Sequence, residues 1–203
     1  QAQLGLGLIA LHQQKFESAI EQFRRISSQV ASSEANAVKG AVVLDALLFE
    51  GMCHFHLKQF AEAVALLTPL LERLDEAAIP QAAFYLGESL SGLERYEEAA
   101  RAYQRAVTVG ETGQWTLPAR FGMGWAYYRA DRCEESISEF TRYLAEAAEY
   151  RTEARFAQGS CLMKGGQMKE ALLRFEQIVS RDPDHALALE SAFVLVEAYR
   201  REE

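Results

Sequence analysis

Five segments of the chain align on a glycine, and this alignment limits the possible folds more than any other feature. The segments are "LGLIALHQQKFESAIEQF" (6–23), "EGMCHFHLKQFAEAVALL" (50–67), "LGESLSGLERYEEAARAY" (86–103), "MGWAYYRADRCEESISEF" (123–140) and "QGSCLMKGGQMKEALLRF" (158–175). Twelve residues after Gly7, Gly51, Gly87, Gly124 and Gly159 stands a small residue: Ala19, Ala63, Ala99, Ser136 or Ala171. Four further on comes Phe23, Leu67, Tyr103, Phe140 or Phe175. Successive glycines are 44, 36, 37 and 35 residues apart, the range in which a chain stacks copies of one supersecondary unit.

Helix geometry explains the pattern. A bare glycine lets a neighbouring helix approach, a small residue on a second helix closes the gap, and a large residue one turn later fills the space beside the contact. The short polar strings between glycine and alanine read as turns, so each unit is predicted to be a helix, a tight turn and an antiparallel helix. One hairpin cannot bury its apolar face alone, whereas stacked neighbours build a continuous core. Ala, Leu, Glu, Gln and Arg dominate, and there are only four prolines. Val and Ile are scattered, so the expectation is an all-α chain.

On these residues the chain resembles the tetratricopeptide repeat (TPR) family. That family places a Leu-Gly pair, a large residue three positions later, the alanine, the aromatic, another small residue and a closing proline. The third repeat supplies Leu86, Gly87, Leu90, Ala99, Tyr103 and Ala106, and the fifth supplies Gly159, Leu162, Ala171, Phe175, Ile178 and Pro183. Four residues before the glycine, where the family has a large residue, this chain has Gln3, Leu47, Ala83, Arg120 and Arg155. An aromatic follows one position later at Phe84, Phe121 and Phe156; "AAFYLGE", "ARFGMGW" and "ARFAQGS" are similar to bacterial cell-envelope TPR proteins, including those associated with the Tol–Pal system. The resemblance implies a right-handed superhelical array of antiparallel helix hairpins, a TPR solenoid. It would span 1–203 as a single array, with repeats near 1–34, 35–79, 80–115, 116–150 and 151–184 and a terminal helix at 185–203. The first repeat runs about eight residues long through "SSQVASSEANAVKGAV"; Ser32 or Ser33 as an N-cap would start the next helix early, near Ala35.

Few reaction or ligand classes fit. The net charge is −8 and basic residues are interspersed with acids, which argues against nucleic-acid binding. No apolar run reaches the ~20 residues of a bilayer span, and no signal-peptide pattern opens the chain. The first residue is Gln1 rather than Met, so the N-terminus reads as a cut end. The three cysteines, Cys53, Cys133 and Cys161, lie far apart and suggest neither a disulfide framework nor a zinc site. His54 and His56 are two apart on a predicted helix, so they point to opposite faces and cannot chelate one metal. The Glu97–Glu98 and Glu134–Glu135 pairs open second helices, where acids suit the helix dipole. Neither a Gly-rich phosphate loop nor a Gly-x-Ser-x-Gly elbow is present. The expectation is therefore no enzyme, no catalytic residues, no cofactor and no metal. The compartment stays open between bacterial periplasm or cell envelope and cytoplasm.

The resemblance also implies a binding surface, because the first helices of TPR proteins line a concave groove. One residue after each glycine gives Leu8, Met52, Glu88, Trp125 and Ser160; five after gives His12, His56, Gly92, Arg129 and Lys164. Two before gives Gly5, Phe49, Tyr85, Gly122 and Ala157. Phe49, Met52, His56, Tyr85, Glu88, Trp125, Arg129, Ser160 and Lys164 are the candidate partner-binding residues, for a protein or peptide of unstated identity. Asparagines of a carboxylate clamp are missing from these positions; the single asparagine is Asn36. The resemblance therefore implies no binding of acidic chaperone tails. Two alternatives remain: a weak homo-oligomer through the terminal segments "LGLGLIAL" and "FVLV", or a recognition arm of a larger enzyme or regulator.

Overall fold

The computed structural model describes residues 2–30, 37–110 and 113–202, and every regular element in them is helical. The chain divides into two compact units, Gln1–Thr116 and Leu117–Glu203. The first unit holds three hairpins: α1 (Ala2–His12) with α2 (Phe16–Val30), α3 (Ala37–His56) with α4 (Phe60–Leu70), and α5 (Ile79–Gly92) with α6 (Tyr96–Gly110). The second holds α7 (Thr116–Arg129, begun on the last residue of the first unit) with α8 (Cys133–Glu146), α9 (Arg151–Lys164) with α10 (Met168–Arg181), and α11 (Ala186–Glu202). In each unit helices pack on their neighbours in sequence. First helices also touch across repeats, α1 on α3, α3 on α5 and α9 on α11.

Ser32, Ser33, Ala35 and Asn36 lie outside the described residues. The described part of α3 has 20 residues against 11 in α1, so the extra length of the first repeat includes added helix.

Why each hairpin turns where it does is visible in the backbone. Gln14, Lys58, Glu94, Asp131 and Gly166 all have positive φ, and each stands seven residues after its repeat glycine. The next N–H bonds back five residues, as from Lys15 to the Ala10 carbonyl and from Gln59 to that of His54. This left-handed cap ends the first helix and satisfies its last carbonyls.

The repeat glycine works differently from the sequence expectation. The large residue sixteen positions on does not fill space beside the glycine; it lies directly on it. A Cβ at Gly87 would meet the Tyr103 ring at 2.6 Å, one at Gly124 the Phe140 ring at 2.8 Å, and one at Gly159 the Phe175 ring at 2.9 Å. Phe23, Leu67, Phe140 and Phe175 have no exposed surface, and Tyr103 almost none. Burying such a side chain contributes about 1.5–3 kcal/mol. The small residue sits beside this contact: Ala19, Ala63, Ala99 and Ala171 are fully buried, and the Ser136 hydroxyl donates to the Gly124 carbonyl at 3.0 Å.

Cys133 and Cys161 correct a second expectation. They form a disulfide with Cα atoms 5.1 Å apart, tying the first residue of α8 to α9. Their 28-residue separation hides the pairing. Stacking one repeat on the next brings the start of a second helix against the following first helix. Cys53 occupies the position in its repeat that Cys161 has in the fifth, two after the glycine, but Phe16 stands where Cys133 would be. Cys53 is a free buried thiol, pushed up to about 12 by burial and by nearby Glu50.

Candidate functional site

In the first unit the candidate residues lie along α3 and α5. The His56 ring stacks on Phe16 at 4.9 Å and meets the edges of Phe55 at 5.3 Å and Tyr85 at 5.9 Å. Tyr85 continues the row to Trp115 at 5.6 Å, and Phe84 touches both. The result is a run of rings, Phe16, His56, Tyr85 and Trp115, the first three carried by successive hairpins and the last by the segment that leads into α7. Tyr85 and Trp115 are half-buried, each keeping part of its surface in water. Removing part of the His56 ring from water lowers its pKa below the usual value, so it is uncharged at neutral pH.

The other three residues of this unit are engaged by neighbouring side chains. Phe49 packs against the Phe23 ring at 5.8 Å, and Met52 is buried with its sulfur accepting from Gln81 at 3.3 Å. Glu88 accepts a hydrogen bond from the Tyr103 hydroxyl at 2.6 Å. Burial pushes the Glu88 carboxyl above its ordinary pKa, and the Tyr103 hydrogen bond opposes part of that shift. His54 points away from His56, as its spacing requires. Its ring bridges Arg24 at 3.3 Å and Gln59 at 2.6 Å, and Arg24 donates to buried Glu50 at 2.7 Å. This network satisfies the buried carboxylate of Glu50.

In the second unit Trp125 is half-buried, with its ring 5.3 Å from Tyr128 and 5.8 Å from Phe140. Lys164 lies over the Tyr128 ring at 5.8 Å and pairs with Asp131 at 2.7 Å; that partner raises the lysine pKa, so the cation is held. Arg129 is exposed at the end of α7, and Ser160 is half-buried on α9. The arrangement offers an aromatic face, Trp125 with Tyr128, edged by the Lys164–Asp131 ion pair.

The carboxylate pairs open second helices, as expected: Glu97 and Glu98 start α6, Glu134 and Glu135 start α8, and Arg95 and Arg132 hold Glu98 and Glu135. Among the described residues no group of His, Cys, Asp or Glu is arranged to hold a metal, and no helix is long and apolar enough to cross a membrane. Trp115 immediately precedes α7 and lies outside the repeating positions, so no repeat offset points to it.

The tetratricopeptide repeat profile matches residues 1–37, 59–114 and 121–186. The chain belongs to the tetratricopeptide repeat family. The TPR fold is also that of solved structures. YrrB, described as a TPR protein with an unusual peptide-binding site, is 19% identical with a TM-score of 0.77, over 94% of this chain and 90% of that one. MamA from AMB-1 is 17% identical with a TM-score of 0.72, over 93% and 94% of the two chains. MamA from Desulfovibrio magneticus RS-1 is 14% identical with a TM-score of 0.72, over 91% and 96%. No curated protein is a significant match to the sequence. As a TPR protein the chain is a protein-interaction module.

Proposed function

We propose that this TPR chain is a non-enzymatic scaffold that captures a peptide or helix on the face that the first helices form within a unit. The observation that carries this reading is the run of rings from Phe16 through His56 and Tyr85 to Trp115, partly open to water on a face that successive hairpins extend. Tyr and Trp held rigidly on helices lose little entropy on binding and are common anchors of interfaces. Trp125 and Tyr128, edged by the Lys164–Asp131 ion pair, give the second unit an aromatic face of its own. The peptide-binding site described for YrrB supports the class of ligand. The test is selection of binders from a random peptide display library, followed by titration of the winning peptide against Y85A and W125A. Losses of roughly tenfold or more in at least one variant, with melting unchanged, are expected. Equal binding to the wild type and both variants refutes the site.

A second reading, self-association, is favoured by one feature. Leu189, Phe193 and Val196 expose an apolar stripe on α11, with Phe193 at 66% exposure, and Leu6 and Ile9 do the same on α1. Sedimentation at rising concentration tests it: a monomer throughout, indistinguishable from F193E, rules it out.

A further inference from the structure

Arg120 and Arg155 stand at equivalent positions, four residues before their repeat glycines, where the family has a large residue. In the fourth repeat the charge is answered. Arg120 donates to Glu139 at 2.9 Å, and Arg142 holds the other oxygen of the same carboxylate at 2.8 Å. Glu139 lies fifteen residues after Gly124; fifteen residues after Gly159 stands Arg174. The fifth repeat has therefore replaced the anion of the pair with a second cation.

Arg155 is 5% exposed, and among the described residues no carboxylate forms an ion pair with Arg155, Arg174 or Arg181. The Nε of Arg174 and the Oε1 of Gln158 are buried without a hydrogen-bond partner. Burial and the neighbouring charges of Arg151, Arg181 and Arg174 hold the Arg155 pKa below its ordinary value, although Asp182 offsets part of this. Asp182 itself accepts from the Thr152 hydroxyl. Arg151, Arg155, Gln158, Arg174 and Arg181 line a cleft of about 310 Å³ between α8, α9 and α10 that has no acidic residue in its lining; Thr152, Glu153 and Asp182 line the neighbouring cleft on the other side of Arg151, Arg155 and Arg181. Arg151 also donates to the Leu144 and Ala147 carbonyls, which leaves buried Arg155 and half-buried Arg174 as cations without an ion-pair partner in this cleft; a buried charge that is not fully paired is costly and favours a counter-anion.

We propose that this cleft binds a phosphoryl group, with Arg155 and Arg174 as its principal ligands and Arg151 and Arg181 at its mouth. A single carboxylate suffices for the two arginines of the fourth repeat. Four arginines match a group of charge about −1.5 to −2 with three terminal oxygens, and guanidinium pairs such oxygens in forked geometry. A hydrogen phosphate also carries an O–H that can donate to Gln158 Oε1. The phosphoryl group is either free, as inorganic phosphate or a small ester, or borne on a partner's side chain.

Calorimetric titration at constant chloride, with inorganic phosphate and with a short phosphoserine peptide, tests this and separates the two sources. Saturable one-site binding of at least one probe is expected, with no heat from the unphosphorylated peptide. Arg174→Glu restores in the fifth repeat the carboxylate of Glu139; it should keep the helical circular dichroism and bind the same probe roughly a hundredfold more weakly. Arg174→Gln, which removes the charge without adding one, gives the same comparison if R174E fails to fold. Phosphate binding alone assigns a free ligand, and peptide binding alone a modified partner. Binding of neither probe, or equal affinity in the variants, overturns the proposal.

Discussion

Reduction of the Cys133–Cys161 disulfide should weaken the second unit by an amount that follows from chain statistics. The bridge closes a loop with a sequence separation of 28. The loop-entropy relation then gives a loss of about 3.6 kcal/mol at 25 °C. With a urea m-value of about 2 kcal/mol/M, the unfolding midpoint of that unit should fall by roughly 1.8 M. The assay is urea denaturation followed by circular dichroism, with and without a phosphine reductant. The C133S/C161S double variant should match the reduced protein and ignore the reductant, whereas C53S should keep the response. Thiol labelling supplies the count: one reactive thiol in the unfolded, unreduced protein, belonging to Cys53, and three after reduction. Three labelled thiols without reductant, or coincident midpoints, would refute the pairing and the argument from it.

Two further outcomes follow from the core. Gly5 and Gly7 lie on one helix, but a Cβ at Gly5 meets nothing within 4 Å whereas one at Gly7 strikes the Phe23 ring. Gly5→Ala should therefore stabilise by about 0.5–1 kcal/mol through helix propensity, and Gly7→Ala should destabilise by about 1–3 kcal/mol through overpacking; equal signs in thermal melts would contradict the ring-on-glycine contact. Glu88, with its folded pKa raised, binds a proton more tightly in the folded than in the unfolded state. Its unfavourable contribution is absent below its ordinary pKa and grows as pH rises through the folded value. Glu88→Gln should consequently raise the melting temperature at pH 7 and lose that advantage near pH 4; an advantage unchanged with pH would count against the burial argument.

The hairpins were legible because glycine, small residue and large residue recur at fixed offsets, and helix geometry allows few ways to satisfy that spacing. The contact made by each glycine was not, since ring placement depends on the angle between helices, which spacing leaves open. The positions around the glycines led to Tyr85, His56 and Trp125. They could not show that Glu88 bonds to Tyr103, because a residue one position beyond the glycine can turn either to the open face or across the hairpin. Trp115 belongs to no repeating position, and the cysteine pair joins two repeats, so neither leaves a periodic trace. The exchange of Glu139 for Arg174 is written in the sequence, but only the Arg120–Glu139 contact shows that those offsets face each other.

The two tryptophans of the chain fall one to each compact unit, Trp115 in the first and Trp125 in the second. The molecule thus carries a natural optical label on each half. Replacing either indole with phenylalanine leaves the emission of the other as a readout of a single unit. Unfolding of the two halves, or the arrival of a ligand at one of them, can then be followed separately without attaching a dye.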